Sequence, residues 1–184
     1  SKGFRIGYGY DVHPLGPGRK LILGGVEIPH SKGLVGHSDS DVLVHAVCDA
    51  LLGAMGEGDL GRHYPSSDPK YKGISSLKLL EDVMSKLKVR GYRVGNIDTV
   101  IVAQAPRLGP HLAAMQKIMA EAAGVLPESV NVKVKSGEGL DAVGHEEGMI
   151  AHAVCLIEKG QATARQLHIG DLHVPGIIFR SRCR

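Results

Sequence analysis

Near the N-terminus of the chain, an aspartate and a histidine one residue apart could bind a metal ion together. Residues around them alternate as in a strand, so Asp11 and His13 are expected to point to the same side. His45, in a following segment with helical periodicity, adds a second imidazole. One carboxylate oxygen and two imidazole nitrogens suit zinc with an open fourth position. Ordinary surface residues are the alternative explanation of each member taken alone.

A polar segment directly before the predicted helix could hold phosphate. It consists of His37, Ser38, Asp39, Ser40 and Asp41, and the free N–H groups at a helix N-terminus attract anions. Capping of the helix by serine and aspartate side chains is the alternative. Farther along, Asp59 has glycines nearby and could bind a sugar hydroxyl, or face solvent as an ordinary turn aspartate.

A third polar cluster follows a predicted strand on which Lys133 and Lys135 share a face. Ser136 and Glu138 come next and could contact a phosphate and a divalent cation, respectively. A solvated face of an edge strand explains the same residues equally well. The sequence has no P-loop, dinucleotide fingerprint or nucleophile elbow, so no motif supports a kinase, dehydrogenase or esterase.

The elements that must position these residues can be predicted from hydrophobic periodicity. Strands are expected over residues 4–13, 21–28, 97–103, 130–134 and 149–157. Helices are expected over 38–55, 77–90 and 110–123. We expect Ser38 or Ser40 to cap the first helix, and Gly24–Gly25 to interrupt the second strand at a bulge or a close backbone approach.

The order of these elements is neither a regular βαβ repeat nor all-β. It predicts an α+β fold, with helices packed on one face of a mixed β-sheet. Long polar loops are expected over 56–73, a candidate lid, and over 136–148. Residues 1–160 are predicted to form a single domain, and the composition shift that follows marks 161–184 as a C-terminal extension of unknown role.

Composition narrows the function classes. The 184 residues carry a net charge of +3 with scattered Lys and Arg, which favours a small anionic ligand and predicts no nucleic-acid partner. The sequence shows no bilayer-length apolar run and no signal peptide, so we expect no membrane partner. Three cysteines without C-x-x-C spacing fit a reducing compartment. Only 4% of residues are aromatic, which favours an oligomer whose core is completed by neighbouring subunits.

Seven motifs, taken in order, closely resemble the family of 2-C-methyl-D-erythritol 2,4-cyclodiphosphate synthases. The resemblance runs from about residue 5 to residue 159. The motifs are GYGYDVH (7–13), LGGVEIP (23–29), GHSDSDVLVHA (36–46), DALLGA (49–54), GDLG (58–61), DPKYKG (68–73) and AQAPR (103–107).

The resemblance implies a homotrimer with active sites at the subunit interfaces. It implies Zn²⁺ held by Asp11, His13 and His45, and a second divalent cation, Mg²⁺ or Mn²⁺, held by Glu138 and bridging the substrate diphosphate. The implied reaction converts 4-diphosphocytidyl-2-C-methyl-D-erythritol 2-phosphate to the 2,4-cyclodiphosphate and releases CMP. Such a chain would work in a bacterial cytoplasm or, after removal of a transit peptide, in the plastid stroma.

By the same resemblance, His37 and Ser136 stabilise the transition state, and the loop over 64–68 covers the substrate. The implied substrate-binding residues are Asp11, Val12, His13, His37, Ser38, Asp59, Leu60, Gly61, Tyr64, Pro65, Ser66, Ser67, Asp68, Lys135, Ser136, Gly137, Glu138, Ala142 and His145. The implied cytosine pocket consists of Ala103, Gln104, Ala105, Pro106, Arg107, Leu108 and Gly109.

Several positions depart from the common family pattern. Ala142 stands where a Phe is common and His145 where an Arg is common, near the central cavity of the family's trimer. These two changes do not favour binding of an isoprenoid diphosphate in this cavity, a ligand that the cavity binds in other members of the family. These changes motivate an alternative hypothesis, a binding module without catalysis. A phosphohydrolase that uses zinc-bound water is a third hypothesis, and the mass of the product separates both from a synthase.

Overall fold

The protein is built around a five-stranded mixed β-sheet. A computed structural model describes residues 3–160. The strands are β1 (Phe4–Pro17), β2 (Leu21–Leu23), β3 (Val26–Ile28), β4 (Lys32–Leu34), β5 (Tyr92–Val102), β6 (Val130–Lys135) and β7 (Gly148–Lys159). The helices are α1 (Val42–Met55), α2 (Leu60–His63), α3 (Ser76–Val89), α4 (Leu112–Ala123) and α5 (Asp141–Gly144). The predicted tail over 161–184 lies outside the described residues.

The strands of the large sheet follow the order β4-β1-β7-β5-β6. Only the β5–β6 pair is parallel, and the other neighbours in this sheet are antiparallel. Helix α1 packs on β1 and β7, and α3 and α4 extend the same layer over β5 and β6. The predicted α+β class, with a mixed sheet covered by helices on one face, is confirmed.

Strand β1 alternates as predicted, and its glycine face is the one that meets the helix layer. Gly7 and Gly9 are buried beneath α1, where an added Cβ atom would collide with the carbonyl oxygens of Ala50 and Ala46. The opposite face of β1 is apolar and open, with Ile6 67% and Tyr8 61% exposed. Close packing of a helix on a bare strand backbone therefore sets the distance between β1 and α1.

Two local predictions for the segments before α1 were wrong: the single strand over 21–28 and the capping of α1 by Ser38 or Ser40. Residues 21–28 form a separate two-stranded hairpin, β2–β3, because Gly24 and Gly25 both adopt positive φ angles and make the turn between them. Asp41, rather than Ser38 or Ser40, caps α1: its carboxylate accepts from Val44 N at 3.1 Å. The same carboxylate accepts from the N–H groups of both turn glycines, which ties the hairpin to the helix.

Other boundaries shifted as well. Strand β5 begins at Tyr92, five residues before the expected start, and β4 was not predicted because three residues carry too little periodicity. The candidate lid over 56–73 contains α2 and a 3₁₀ turn at Pro69–Tyr71, and the loop over 136–148 contains α5. In the part of the chain that the structure describes, no helix has the length and hydropathy of a membrane span.

Candidate metal centre and nucleotide pocket

Three predicted metal ligands, Asp11, His13 and His45, converge on one point. On β1, Asp11 Oδ2 lies 2.9 Å from His13 Nε2. On α1, His45 Nδ1 lies 3.0 Å from Asp11 Oδ2 and 3.2 Å from His13 Nε2. Metal–ligand bonds of 2.0 to 2.1 Å in tetrahedral geometry separate adjacent ligand atoms by about 3.3 Å. The three atoms therefore have the spacing of ligands to a single metal ion.

Electrostatics in this cluster call for a cation between the three atoms. Burial would raise the pKa of Asp11, but hydrogen bonds from His13 and His45 outweigh it and lower that pKa to about 2. Burial would lower the pKa of His13, but the hydrogen bond and negative charge of Asp11 raise it. A carboxylate and two imidazole lone pairs repel one another at this distance unless protons or a metal ion lie between them. The donor set therefore fits a divalent metal.

The outer nitrogens of both histidines also have partners. His13 Nδ1 donates to the carbonyl oxygen of Val35 at 3.1 Å, which leaves Nε2 free to face the cluster. His45 Nε2 lies 2.8 Å from Ser76 Oγ and 3.2 Å from Ser38 Oγ. Ser76 was not predicted from the sequence, because it lies 31 residues from His45 at the start of another helix and belongs to no metal-ligand motif.

The side chains of Asp11, His13 and His45, together called the metal cluster below, lie at one wall of a cavity of about 400 Å³. Most substrate-binding residues predicted on this half of the protein line it: Asp11, His13, His37, Ser38, Asp59, Leu60, Gly61, Tyr64 and Ser66. Asp49 also lines it and was not predicted as a site residue, although it continues the helical row of Asp41 and His45. Burial raises the pKa of the Asp49 carboxyl.

Short helical segments hold the rim of this cavity. The Asp59 side chain caps α2 by accepting from Arg62 N at 2.9 Å, and Asp49 Oδ1 accepts from Leu60 N at 2.6 Å. The His37 Nε2 atom donates to the backbone oxygen of Asp68 at 3.0 Å, which anchors the segment over 64–68 beside the cavity.

Some residues predicted to bind substrate lie elsewhere. Pro65, Ser67 and Asp68 belong to the rim segment but do not line the cavity. The Val12 residue is 49% exposed on the open face of β1, opposite the metal cluster.

A second cavity, of about 460 Å³, opens where β5 and β6 end side by side. Its lining combines most of the predicted cytosine pocket with two predicted substrate-binding residues, Lys135 at the end of β6 and Ser136 directly after it. The cytosine-pocket residues that line it are Ala103, Gln104, Pro106, Arg107, Leu108 and Gly109. Ala105 does not line it, and the peptide bond between Ala105 and Pro106 is cis.

The loop after β6 is held together by its own polar groups. Ser136 Oγ donates to Glu138 Oε1 at 2.7 Å, and Gly139 N donates to Gln104 Oε1 at 3.3 Å. Glu138 has a positive φ of 51°, which turns the chain sharply beside the pocket. Four predicted substrate-binding residues of this loop, Gly137, Glu138, Ala142 and His145, line neither cavity. Ala142 lies on α5 and His145 at its end.

Strand register shows that the two cavities stay apart within one chain. Val12 pairs with Ile150, Ile150 with Val102, and Val102 with Lys135, so these four residues form one row across the sheet. Three strand spacings separate the ends of that row by about 14 Å. A single copy therefore does not bring the metal cluster next to Ser136 and Glu138.

Comparison with known proteins gives one consistent result. A model of the YgbB family matches residues 4–158. A curated 2-C-methyl-D-erythritol 2,4-cyclodiphosphate synthase from Syntrophotalea carbinolica is 56% identical over 155 residues, which is 84% of this chain and 94% of that protein.

Two solved structures have the same fold. The bifunctional IspDF of Campylobacter jejuni is 38% identical with a TM-score of 0.84; the match covers 86% of this chain and 43% of that longer protein. The CDP complex of IspF from Plasmodium falciparum is 27% identical with a TM-score of 0.77, over 88% of this chain and 99% of that one.

Proposed function

The chain belongs to the YgbB family, the family of the 2-C-methyl-D-erythritol 2,4-cyclodiphosphate synthases. From this membership we propose how the metal-ligand cavity and the cavity at the ends of β5 and β6 carry out the cyclisation. The substrate is 4-diphosphocytidyl-2-C-methyl-D-erythritol 2-phosphate, and the products are the 2,4-cyclodiphosphate and CMP. The observation that carries the proposal is the convergence of Asp11, His13 and His45 at the wall of a cavity lined by hydroxyl and carboxylate groups.

The chemistry is an intramolecular phosphoryl transfer. An oxygen of the 2-phosphate forms a bond to the β-phosphorus, and the bond from that phosphorus to the bridging oxygen breaks, so CMP leaves with the electron pair. The attacking phosphate is already anionic near neutral pH, so the reaction needs no strong general base. Its barrier comes from bringing two anionic groups together in line, which positioning and fixed positive charge lower.

Zinc is the metal that best fits Asp11, His13 and His45, because one oxygen and two nitrogens leave a fourth position open for a ligand. A second divalent cation, Mg²⁺ or Mn²⁺, would be held by the Glu138 carboxylate beside the diphosphate. When bound, the two cations supply Lewis-acid neutralisation of the phosphate charges.

The protein's own side chains have distinct tasks. His37 and Ser38 line the metal cavity and donate to phosphate oxygens, and Asp59 accepts from the hydroxyl groups of the methylerythritol unit. On the other half, the backbone over 103–109 reads the cytosine edge, while Lys135 and Ser136 contact the phosphates. Rim residues Tyr64 and Ser66 shield the reacting groups from water.

We further propose that the reaction centre is completed by a second copy of the chain in a homotrimer. The two half-sites lie at opposite sides of the sheet, about 14 Å apart by strand spacing, and a neighbour that supplies Lys135 and Ser136 would place them opposite the metal cluster. The apolar face of β1, with Phe4 68% and Ile6 67% exposed, offers the area that such an assembly would bury.

The bacterial origin of the relative at 56% identity favours the cytoplasm of a bacterium as the compartment, with the plastid stroma as the alternative.

Product mass tests the proposed reaction. Purified protein is incubated with the substrate, Zn²⁺ and Mg²⁺, and the products are measured by mass spectrometry. The expected products are CMP and the cyclic diphosphate in equal amounts, with both lost in His13→Ala and retained in His111→Ala, a histidine that lines neither cavity. Linear phosphates would instead identify a hydrolase, and stoichiometric binding without product would identify a binding module.

A further inference from the structure

A buried hydroxyl connects the candidate metal ligand His45 to a carboxylate on the far side of its ring. Ser76, the first residue of α3, is fully buried, and its Oγ lies 2.8 Å from His45 Nε2. The same hydroxyl donates to Asp39 Oδ1, and Asp39 Oδ2 accepts from the backbone N–H of Ser76 at 2.9 Å. Asp39, Ser76 and His45 thus form a continuous hydrogen-bonded chain that ends at the metal cluster.

The direction of this chain follows from the number of protons available. A serine hydroxyl has one proton, and the carboxylate of Asp39 can only accept it. Ser76 Oγ therefore accepts from His45, so the imidazole proton is on Nε2. Metal binding requires a neutral imidazole, and in that form the other nitrogen, Nδ1, carries the lone pair. It is Nδ1 that lies 3.0 Å from Asp11 Oδ2, so a bound metal ion would take the place of the proton that His45 donates to Asp11 in the metal-free protein.

We propose that Asp39 and Ser76 are positioning residues that fix the ring orientation and tautomer of His45 for metal binding. The proposal rests on the metal role in the proposed function and adds residues outside the ligand set. Partners of this kind orient a ligating histidine and raise its basicity, and their loss costs metal sites about 10- to 100-fold in affinity.

Asp39 is itself held firmly enough for this task. Its backbone N–H donates to Ile74 O at 3.0 Å, and its carboxylate also accepts from Asp41 N at 3.1 Å. Ser75, the residue before α3, makes no side-chain capping bond, so the Asp39 carboxylate satisfies the N-terminus of α3 from across the fold. The metal ligand on α1 is therefore braced against the start of α3.

Ser38 is the other hydroxyl near His45 Nε2, but the geometry favours Ser76. The Ser38 Oγ lies farther away, at 3.2 Å, and already accepts from Ser40 N at 3.0 Å. Ser38 also lines the cavity, whereas Ser76 and Asp39 do not. Ser38 is thus placed to contact a ligand, and Ser76 to act through His45 alone.

Metal affinity of the whole chain tests the proposal without relying on turnover. Zn²⁺ binding is measured by competition with a chromophoric chelator, and the visible absorption of bound Co²⁺ reports the ligand geometry. Ser76→Ala is expected to weaken Zn²⁺ binding about 10- to 100-fold and to change the Co²⁺ spectrum. Ser75→Ala, a serine one residue away without a capping bond, is the matched control and should behave as wild type.

Equal Zn²⁺ affinity and equal Co²⁺ spectra in Ser76→Ala and Ser75→Ala would overturn the proposal. If circular dichroism shows that Ser76→Ala does not fold, Asp39→Asn is measured in its place. This variant keeps the shape of the side chain but removes the negatively charged carboxylate. An unchanged Zn²⁺ affinity of Asp39→Asn would overturn the proposal. A wild-type chain that binds no Zn²⁺ would contradict the metal role itself. A wild-type chain that binds Zn²⁺ and forms the cyclic product leaves only the positioning role to be decided by the variants.

Discussion

The carboxylate of Asp11 and the imidazole of His45 lie 3.0 Å apart although 34 residues separate them in the chain. Their approach depends on α1 resting directly on the backbone of β1, where Gly7 and Gly9 leave no side chain between helix and strand. Backbone packing next to the ligands, between Gly9 and Ala46, thus sets the distance between a strand ligand and a helix ligand. The glycines of β1 therefore help to set the geometry of the candidate metal centre.

Gly9→Ala tests this packing. An added Cβ would collide with the backbone oxygen of Ala46, which cannot rotate away, so the helix must shift. We expect a loss of about 3 kcal/mol or more in the free energy of unfolding, measured by urea denaturation. Gly3→Ala, where an added Cβ meets nothing within 4 Å, is the control and should change stability little. Similar stability of both variants would show that α1 does not rest on β1 in this way.

The pH dependence of stability tests the charge state of Asp11 in metal-free protein. Its folded pKa of about 2 lies below the ordinary 3.8, so its stabilising contribution is present above pH 3.8 and is lost as the pH falls toward 2. From about pH 5 to about pH 3, wild type should lose about 1 kcal/mol more unfolding free energy than Asp11→Asn. Urea denaturation at both pH values in the presence of a chelator measures this, and equal losses would contradict the ion pairing of Asp11 with the histidines.

If the chain assembles through the open face of β1, a charged residue on that face should leave the protein monomeric. Ile6 is 67% exposed in the single chain, so Ile6→Asp should fold but assemble poorly, because burying the new carboxylate in an interface is costly. Sedimentation velocity should show a monomer, and turnover should fall with the loss of the shared site. Val89→Asp, at a residue 88% exposed on α3, is the control expected to keep the wild-type oligomer. A trimer formed by Ile6→Asp would exclude this face as the interface.

Lys135 and Lys133 offer a matched pair for the nucleotide half. Lys135 lines the cavity at the end of β6, whereas Lys133 is engaged by Asp98 at 2.6 Å. Lys135→Ala is expected to raise KM about 10-fold or more, the effect of losing a charged hydrogen bond to phosphate. Lys133→Ala should leave KM near wild type. Steady-state CMP release measures both, and a KM increase confined to Lys133→Ala would reverse the assignment.

Much of the site could be predicted because its ligands follow simple periodicities. Residues Asp11 and His13 share a strand face by alternation, and His45 lies in a recognisable helix. The Asp39–Ser76 connection could not be predicted, because it joins the lead into α1 to the start of α3 across 37 residues. No local pattern encodes a contact made only by tertiary packing.

The fold was predictable to a similar extent. Helices α3 and α4 begin within two residues of their expected starts, because apolar periodicity and the flanking Gly and Pro residues mark them. The β2–β3 turn was predicted as a bulge or a close backbone approach within one strand, because two glycines inside a short apolar run suit each of these structures. Composition favoured an oligomer, and the exposed apolar residues of β1 in the structure suggest a face for the proposed assembly.

Mixing two inactive variants tests most directly whether one reaction centre is shared between copies. His13→Ala damages the metal half, and the double variant Ser136→Ala/Glu138→Ala damages the other half; each protein alone should be inactive. Trimers assembled from an equal mixture should recover about one quarter of wild-type CMP release, because only sites with both halves intact turn over. A mixture of His13→Ala with Asp11→Asn, which damage the same half, should stay inactive. Recovery of CMP release to about one quarter of the wild-type rate is the result expected for a reaction centre built from two copies. If the mixture of His13→Ala with Ser136→Ala/Glu138→Ala is as inactive as each variant alone, a shared centre is contradicted.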